Sequence, residues 1–229
     1  MGLVKNWRHR PLQDKLIDGI GLLFQGWGVP IIAKLLADHV LPHILPGTLN
    51  IISVPSWVLF LLPFTLVDYL YYWNHRLLHT RKLWNLHRIH HSSEQLDVFV
   101  TSRNSFWTPF FLIYIWFHAM LIFLTRDTQA YIYGLWLMAA LDFWRHSGLS
   151  TPKVLKFLNF IFILPEDHEW HHSSDQFDVN FGGNLNLWDR LHGTYFKSSE
   201  RATKLGSLAR GTLWQELFFP WKIDRRVGP

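Results

Sequence analysis

The chain contains no cysteine. That excludes disulfides and thiolate metal sites, so any metal must be held by nitrogen and oxygen donors. Charge is scarce as well: Asp, Glu, Lys and Arg make up 17% of the 229 residues, against roughly 25% in an ordinary soluble domain. The deficit is local. Leu49 to Val67 and Asn104 to Thr125 hold no charged residue at all, and each is near the roughly 20 residues that a spanning helix needs. Two shorter uncharged runs, Gly19 to Ala33 and Thr128 to Leu141, are rich in Leu, Ile, Tyr and Trp. With their flanking charges in the lipid interface they complete four expected membrane spans. A soluble core of four helices apolar all round would need more chain to wrap it. Also missing are a dinucleotide fingerprint, a low-complexity run, an internal repeat beyond a duplicated histidine pattern and a linker long enough to divide domains. Residues 1–229 are therefore expected to form one all-α membrane domain. The basic N-terminus lacks a short apolar core with a small-residue cleavage site, so no removable signal peptide is expected.

The net charge of +5 raises nucleic acid as a partner, but its distribution points elsewhere. Four of the 22 Lys and Arg precede Leu16, five lie from Arg76 to Arg103 and eleven from Arg145 onward. The connections Leu41 to Asn50 and Arg126 to Asp127 hold none and one. That asymmetry is the positive-inside pattern, which puts both termini and all the histidine clusters on the cytoplasmic side. No aromatic-interleaved basic motif of a nucleic-acid module is present.

What the chain has in abundance is histidine at helical spacing. His75-x-x-x-His79 and His87-x-x-His90-His91 put five imidazoles into seventeen residues, and the second pattern returns as His168-x-x-His171-His172. Residues four apart on a helix lie about 40° apart around the axis and residues three apart about 60°, so each box aims its rings in one general direction. Eight of the fourteen histidines lie in these boxes, which reads as a metal pocket. His146 ends the fourth expected span level with His79 at the end of the second and is a ninth candidate. Asp142, one turn before it, is a candidate further ligand or hydrogen-bond acceptor. The second span is expected to run unbroken through Asp68, Tyr72, His75 and His79, with Asp68 a candidate to orient a liganding imidazole or to pair with an Arg or Trp of another helix. His118, within the third span, suits a helix-helix hydrogen bond; His39 and His43 lie away from the boxes. Glu94 and Asp97 are expected to be exposed loop acids.

A first helix from about Leu16 to Val40 should be kinked or partly re-entrant at Gly26, Gly28 and Pro30. Thr151-Pro152 is a good helix start, opening an apolar interfacial helix over Lys153 to Leu164. Leu213 to Trp221 is a second aromatic patch suited to a membrane surface, and Gly182-Gly183 permits a turn close to the pocket. Imidazole suits iron, zinc and copper alike, so ligand type does not select the metal. His168-Glu169-x-x-His172 also satisfies H-E-x-x-H, in which two histidines would bind one zinc and Glu169 would be the general base of a protease. Against that, the sister box carries Arg88 at the Glu position, and one zinc leaves six box histidines idle. A non-enzymatic metal-binding or transport protein is the other alternative.

The order of boxes around a transmembrane hairpin resembles the fatty acid hydroxylase and sterol desaturase superfamily of integral membrane oxygenases. The text around them is similar too: Asp68 with Tyr72-Trp73-Asn74-His75-Arg76, His90-His91-Ser92-Ser93-Glu94, Asn180-Phe181-Gly182-Gly183, and Trp188-Asp189-Arg190-Leu191 with Gly193-Thr194-Tyr195, over about Phe64 to Phe196. The resemblance implies two iron ions held by His75, His79, His87, His90, His91, His146, His168, His171 and His172, although zinc could occupy the sites in purified protein. It implies activation of dioxygen and either hydroxylation of an alkyl C–H of a membrane lipid, fatty-acyl or sterol-like, or desaturation with the same site. Having no haem or flavin domain of its own, the chain would draw electrons from a separate cytochrome, ferredoxin or reductase. Two departures stand out. Asp142 occupies the first position of a further H-x-x-x-H found in fatty-acid hydroxylases, and His192 stands where an aromatic residue is usual.

Overall fold

A computed structural model describes residues 9–223 apart from 112, 177 and 207–210. The first eight residues of the expected basic lead therefore lie outside the described residues. Among the described residues the secondary structure is helical throughout, with three isolated β-bridges and no strand.

The first helix, α1, is continuous over Leu12–Ile44 and not re-entrant. Two π-turns, Phe24–Gly28 and Leu36–Val40, widen it. Each lies just ahead of a proline, Pro30 or Pro42, whose ring cannot accommodate the carbonyl four residues back; the widened turn relieves that clash without ending the helix. Leu23, Trp27, Ile31 and Leu35 repeat every fourth residue and are all exposed, an apolar stripe facing away from the protein. The opposite face buries Ala33, Ala37 and Leu41 against Ala119 and Phe123.

Next come α2 (Ser56–Leu61) and α3 (Leu66–Leu78), which are separate helices. The expected unbroken second span is interrupted at Leu62–Phe64, a short 3-10 turn containing Pro63, and at Thr65, where the backbone leaves the helical region. After the single turn α4 (Trp84–His87), the chain reaches α5 (Ile113–Leu124) and α6 (Gln129–His146). Between α5 and α6, His118 Nδ1 lies 2.6 Å from the Tyr131 hydroxyl, the helix-helix bond expected of it. Gly134 lets α6 approach α2 closely, since a Cβ there would stand 2.5 Å from the Phe60 carbonyl oxygen. Among the described residues, Leu12–Ile44 is the one helix long and apolar enough, by length and composition, to cross a membrane; Ile115–Leu124 is a shorter apolar helix.

The remainder is a cap of short helices: α7 (Pro165–His171), α8 (Leu187–His192) and α9 (Leu213–Phe218). Lys153–Phe160 forms a 3-10 run in place of the expected α-helix. Its Val154, Phe157 and Phe160 are strongly exposed, while Asn159 is buried and ties the run to α8 by accepting from Asn186 and Arg190.

Candidate metal centre

The nine histidines converge on two adjoining groups at one end of α3 and α6. His75, His79, His87, His91 and His171 form one group; His90, His146, His168 and His172 form the other. All nine are buried, and within each group one ring nitrogen of every member lies within 4.8 Å of the others. The boxes do not each aim all their rings one way. In each H-x-x-H-H box the first and last histidines join one group and the middle one crosses to the other: His87 and His91 against His90, and His168 and His172 against His171. Helical spacing explains the split, because the residue at i+3 lies about 60° to one side of residue i and that at i+4 about 40° to the other, roughly 100° apart.

The imidazoles approach edge-on through Nε2. Those nitrogens stand 2.9 Å apart in His75 and His87 and 3.2 Å in His87 and His91. In the second group the spacings are 2.9 Å for His146 and His168, 3.1 Å for His168 and His172 and 3.3 Å for His90 and His146. Metal–imidazole bonds of about 2.0–2.1 Å place two ligand nitrogens roughly 3.0–3.4 Å apart. His171 Nδ1 lies 2.7 Å from the Val179 carbonyl, so it is the donor and Nε2 carries the lone pair; that Nε2 is buried and has no partner within the chain. A bare, buried, electron-donating nitrogen aimed into four other imidazoles is what a metal cation satisfies. Burial holds His87, His90, His91, His168 and His172 well below the ordinary imidazole range, and His171 at about 3, with neighbouring imidazoles adding to the effect. Neutral imidazole is the form that binds metal.

The two candidate acids divide. Asp142 stays beside His146, whose Nδ1 lies 2.9 Å from its backbone oxygen and 3.2 Å from its carboxylate, and the carboxylate also pairs with Arg145. Asp68 turns to the loop before α8 and not to an imidazole. Its oxygens accept from the backbone nitrogens of Asn184 and Leu185 at 2.7 and 3.0 Å and from the Trp188 indole at 2.9 Å.

Sequence reasoning missed several polar residues. Asp178 lies 3.3 Å from His79 Nδ1, and Phe181 offers its carbonyl 2.7 Å from His75 Nδ1; a backbone acceptor leaves no mark in a sequence. Asp97 is fully buried, where an exposed acid was expected. It pairs with Arg10, which also pairs with Asp18 on α1, and Asp18 accepts from Arg103 at 2.7 Å. Arg103 in turn donates to Ser92, next to His91, at 3.1 Å. The long N-terminal helix is thus tied to the second box by buried charge. The residue after the first histidine of each H-x-x-H-H box meets an opposite charge from later in the chain: Arg88 pairs with Glu216, and Glu169 with Arg201. Glu169 also accepts from the Ala202 backbone, so it is not the free base that a zinc protease needs. His192 lies in neither group; it packs among Tyr69, Tyr72 and Trp73.

Comparison with known proteins identifies the family. Residues 60–194 match the family model described as Fatty acid hydroxylase. The chain is 33% identical over 171 residues to an alkylglycerol monooxygenase of Danio rerio, covering 72% of this chain and 37% of that protein. It is 31% identical over 144 residues to the alkylglycerol monooxygenase of Xenopus tropicalis, covering 61% and 31%. An ornithine lipid hydroxylase of Rhizobium tropici is 32% identical over 161 residues, covering 63% and 45%. The chain thus spans less than half the length of each of these relatives. No solved structure matches it. The family match covers more than half of the chain and includes all nine converging histidines, and on that ground the chain belongs to the fatty acid hydroxylase family.

Proposed function

We propose that the chain is a membrane-bound, non-haem di-iron oxygenase that hydroxylates an alkyl C–H of a lipid, with dioxygen as oxidant and electrons from a separate carrier. The observation that carries this reading is the pair of adjoining, buried, all-imidazole groups. His75, His79, His87, His91 and His171 would hold one metal and His90, His146, His168 and His172 the other. Iron in these positions supplies the reductive activation of dioxygen that attack on an unactivated C–H requires. In balance, one oxygen atom enters the lipid, the other leaves as water, and the donor delivers two electrons with two protons taken up.

The chain's own part is to bind, orient and shield. Burial keeps His87, His90, His91, His168, His171 and His172 neutral at physiological pH, ready to donate. Carbonyls of Val179 and Phe181 fix which nitrogen of His171 and His75 carries the proton. An alkyl substrate class is supported by the surroundings: the exposed apolar stripe of α1 and the exposed Val154, Phe157 and Phe160 suit a lipid environment. It is supported also by the relatives named above, an alkylglycerol monooxygenase and an ornithine lipid hydroxylase. We place both termini and the histidine groups on the cytoplasmic face, below about four membrane-spanning segments, from the Lys and Arg asymmetry.

Metal analysis of purified protein tests the reading. Two iron ions per chain are expected, and His90→Ala or His171→Ala should lose metal and lipid oxidation together. The exposed His43 should tolerate alanine in both assays. An active, well-folded preparation containing a single zinc would sink it.

A further inference from the structure

We infer that the 178–185 loop is a positioning element for only one of the two metal sites, the five-imidazole one, so that the sites differ in what holds them together. This rests on the metal reading above. Three of the five imidazoles in that group find their Nδ1 partner on this one loop: His79 at the Asp178 carboxylate, His171 at the Val179 carbonyl and His75 at the Phe181 carbonyl. A ring whose Nδ1–H is so engaged presents Nε2 to the metal in a fixed tautomer and direction. None of the four imidazoles of the other group hydrogen-bonds this loop; the link runs indirectly, through Arg145, which donates to Asn184 at 2.8 Å and pairs with Asp142 beside His146. His146 is held by its own helix through Asp142, and Nδ1 of His168 and of His172 has no partner within the chain.

Two buried carboxylates lock the loop. Asp189 accepts from the backbone nitrogens of Phe181 and Gly182, at 2.7 and 2.8 Å, and from the Thr194 hydroxyl at 2.7 Å. Asp68, reaching across from α3, holds Asn184 and Leu185. The glycine pair makes this possible: a Cβ at Gly182 would stand 2.8 Å from Asp189 Oδ2, and one at Gly183 would stand 2.6 Å from Asp68 Oδ1. Asn180 adopts a positive φ of 54° at the start of the bend and is pinned there by its bonds to Asp167 and Phe196. The bonds of Asp189 to Phe181 and Gly182, and those of Asn180, thus act on the orientation of the Phe181 and Val179 carbonyls. Asp189 is a positioning residue: it touches no imidazole and acts through those carbonyls.

The experiment is metal retention by intact protein, loaded with cobalt(II) as a visible probe and challenged with a chelator. Wild type should retain two ions per chain. Asp189→Asn, which sets an amide NH2 against a backbone N–H, should weaken one of them by about 10–100-fold, the usual effect of losing a partner that orients a ligand. Adding His79→Ala to Asp189→Asn should remove nothing further, whereas adding His172→Ala should empty the protein. Because Asp189 is buried and its variant can fail to fold, Asp178→Ala serves as the second arm. Its carboxylate is mostly exposed, at 62%, so folding should survive, and the same site alone should weaken. Retention of both ions at wild-type affinity by the folded variants, or equal loss of both, would overturn the inference. Wild type that binds no metal would overturn the underlying metal reading instead, before any variant is compared.

Discussion

Acid should unfold the metal-free protein over a narrow range just below neutrality, and the magnitude can be worked from the buried imidazoles. His87, His90, His91, His168, His171 and His172 all have folded-state values depressed by burial, well below 6.5. In the unfolded chain each titrates near 6.5. The folded form therefore binds fewer protons than the unfolded one, and the resulting stability is present above pH 6.5 and lost as pH falls. At one unit below 6.5 the loss is about 1.4 kcal/mol per imidazole, or about 8 kcal/mol for six. That is comparable to the whole stability of a typical domain, about 5–15 kcal/mol. Chelator-treated protein in detergent, followed by circular dichroism against pH, should lose its fold between about pH 6.5 and 5. Metal-loaded protein should resist to lower pH, since the ions compete with protons for the same nitrogens. Metal-free protein that keeps its tertiary structure at pH 5 would refute the claim that these imidazoles are held neutral.

Three further outcomes follow from individual contacts. Arg103→Met removes a fully buried guanidinium from Asp18 and Ser92 and should cost roughly 3–5 kcal/mol, read as a fall in Tm of roughly 6–20 °C. Lys34→Ala, which breaks the exposed pair with Asp38, should change stability by less than about 1 kcal/mol; equal shifts for the two variants would contradict the ranking by burial. Glu169→Gln, in an acid already engaged by Arg201 and Ala202, should keep the metals and lose only part of the lipid oxidation. Complete loss of activity with metal retained would revive a general-base role. In the cysteine-free chain, single cysteines at positions 47, 127 and 199 report topology: an impermeant thiol reagent added from outside should label the first two only, and labelling at position 199 would reverse the proposed orientation.

The site was more legible in the sequence than the helices that carry it. Histidines at i, i+3 and i+4 announce themselves because one helical period fixes where their rings go, and all nine candidates converge. What the spacing also implied, and only the geometry made plain, is that i+3 and i+4 diverge by enough to feed different groups. The helix boundaries were harder. Uncharged runs mark apolar stretches but say little about backbone breaks, so the interruption at Pro63 and Thr65 escaped, while the expected perturbation of the first helix at Gly26 and Gly28 is a π-turn within one continuous helix. Asp97 shows a second limit: it is an acid whose partner, Arg10, is far away in sequence, and no local pattern reveals such a pairing. For Asp68 the structure takes the second of the two expected alternatives, a Trp of another helix, Trp188. The carbonyls that orient His75 and His171 leave no side-chain signature at all.

The most direct test of the account is to supply membranes containing the protein with a reductant, a competent electron carrier and isotopically labelled dioxygen, then analyse the lipids by mass spectrometry. The account predicts one labelled oxygen atom per product molecule, at an alkyl carbon, lost when His172 is replaced by alanine. Loss of two hydrogens without label would make the protein a desaturase, and lipid turnover in the absence of dioxygen would contradict the oxygenase reading altogether.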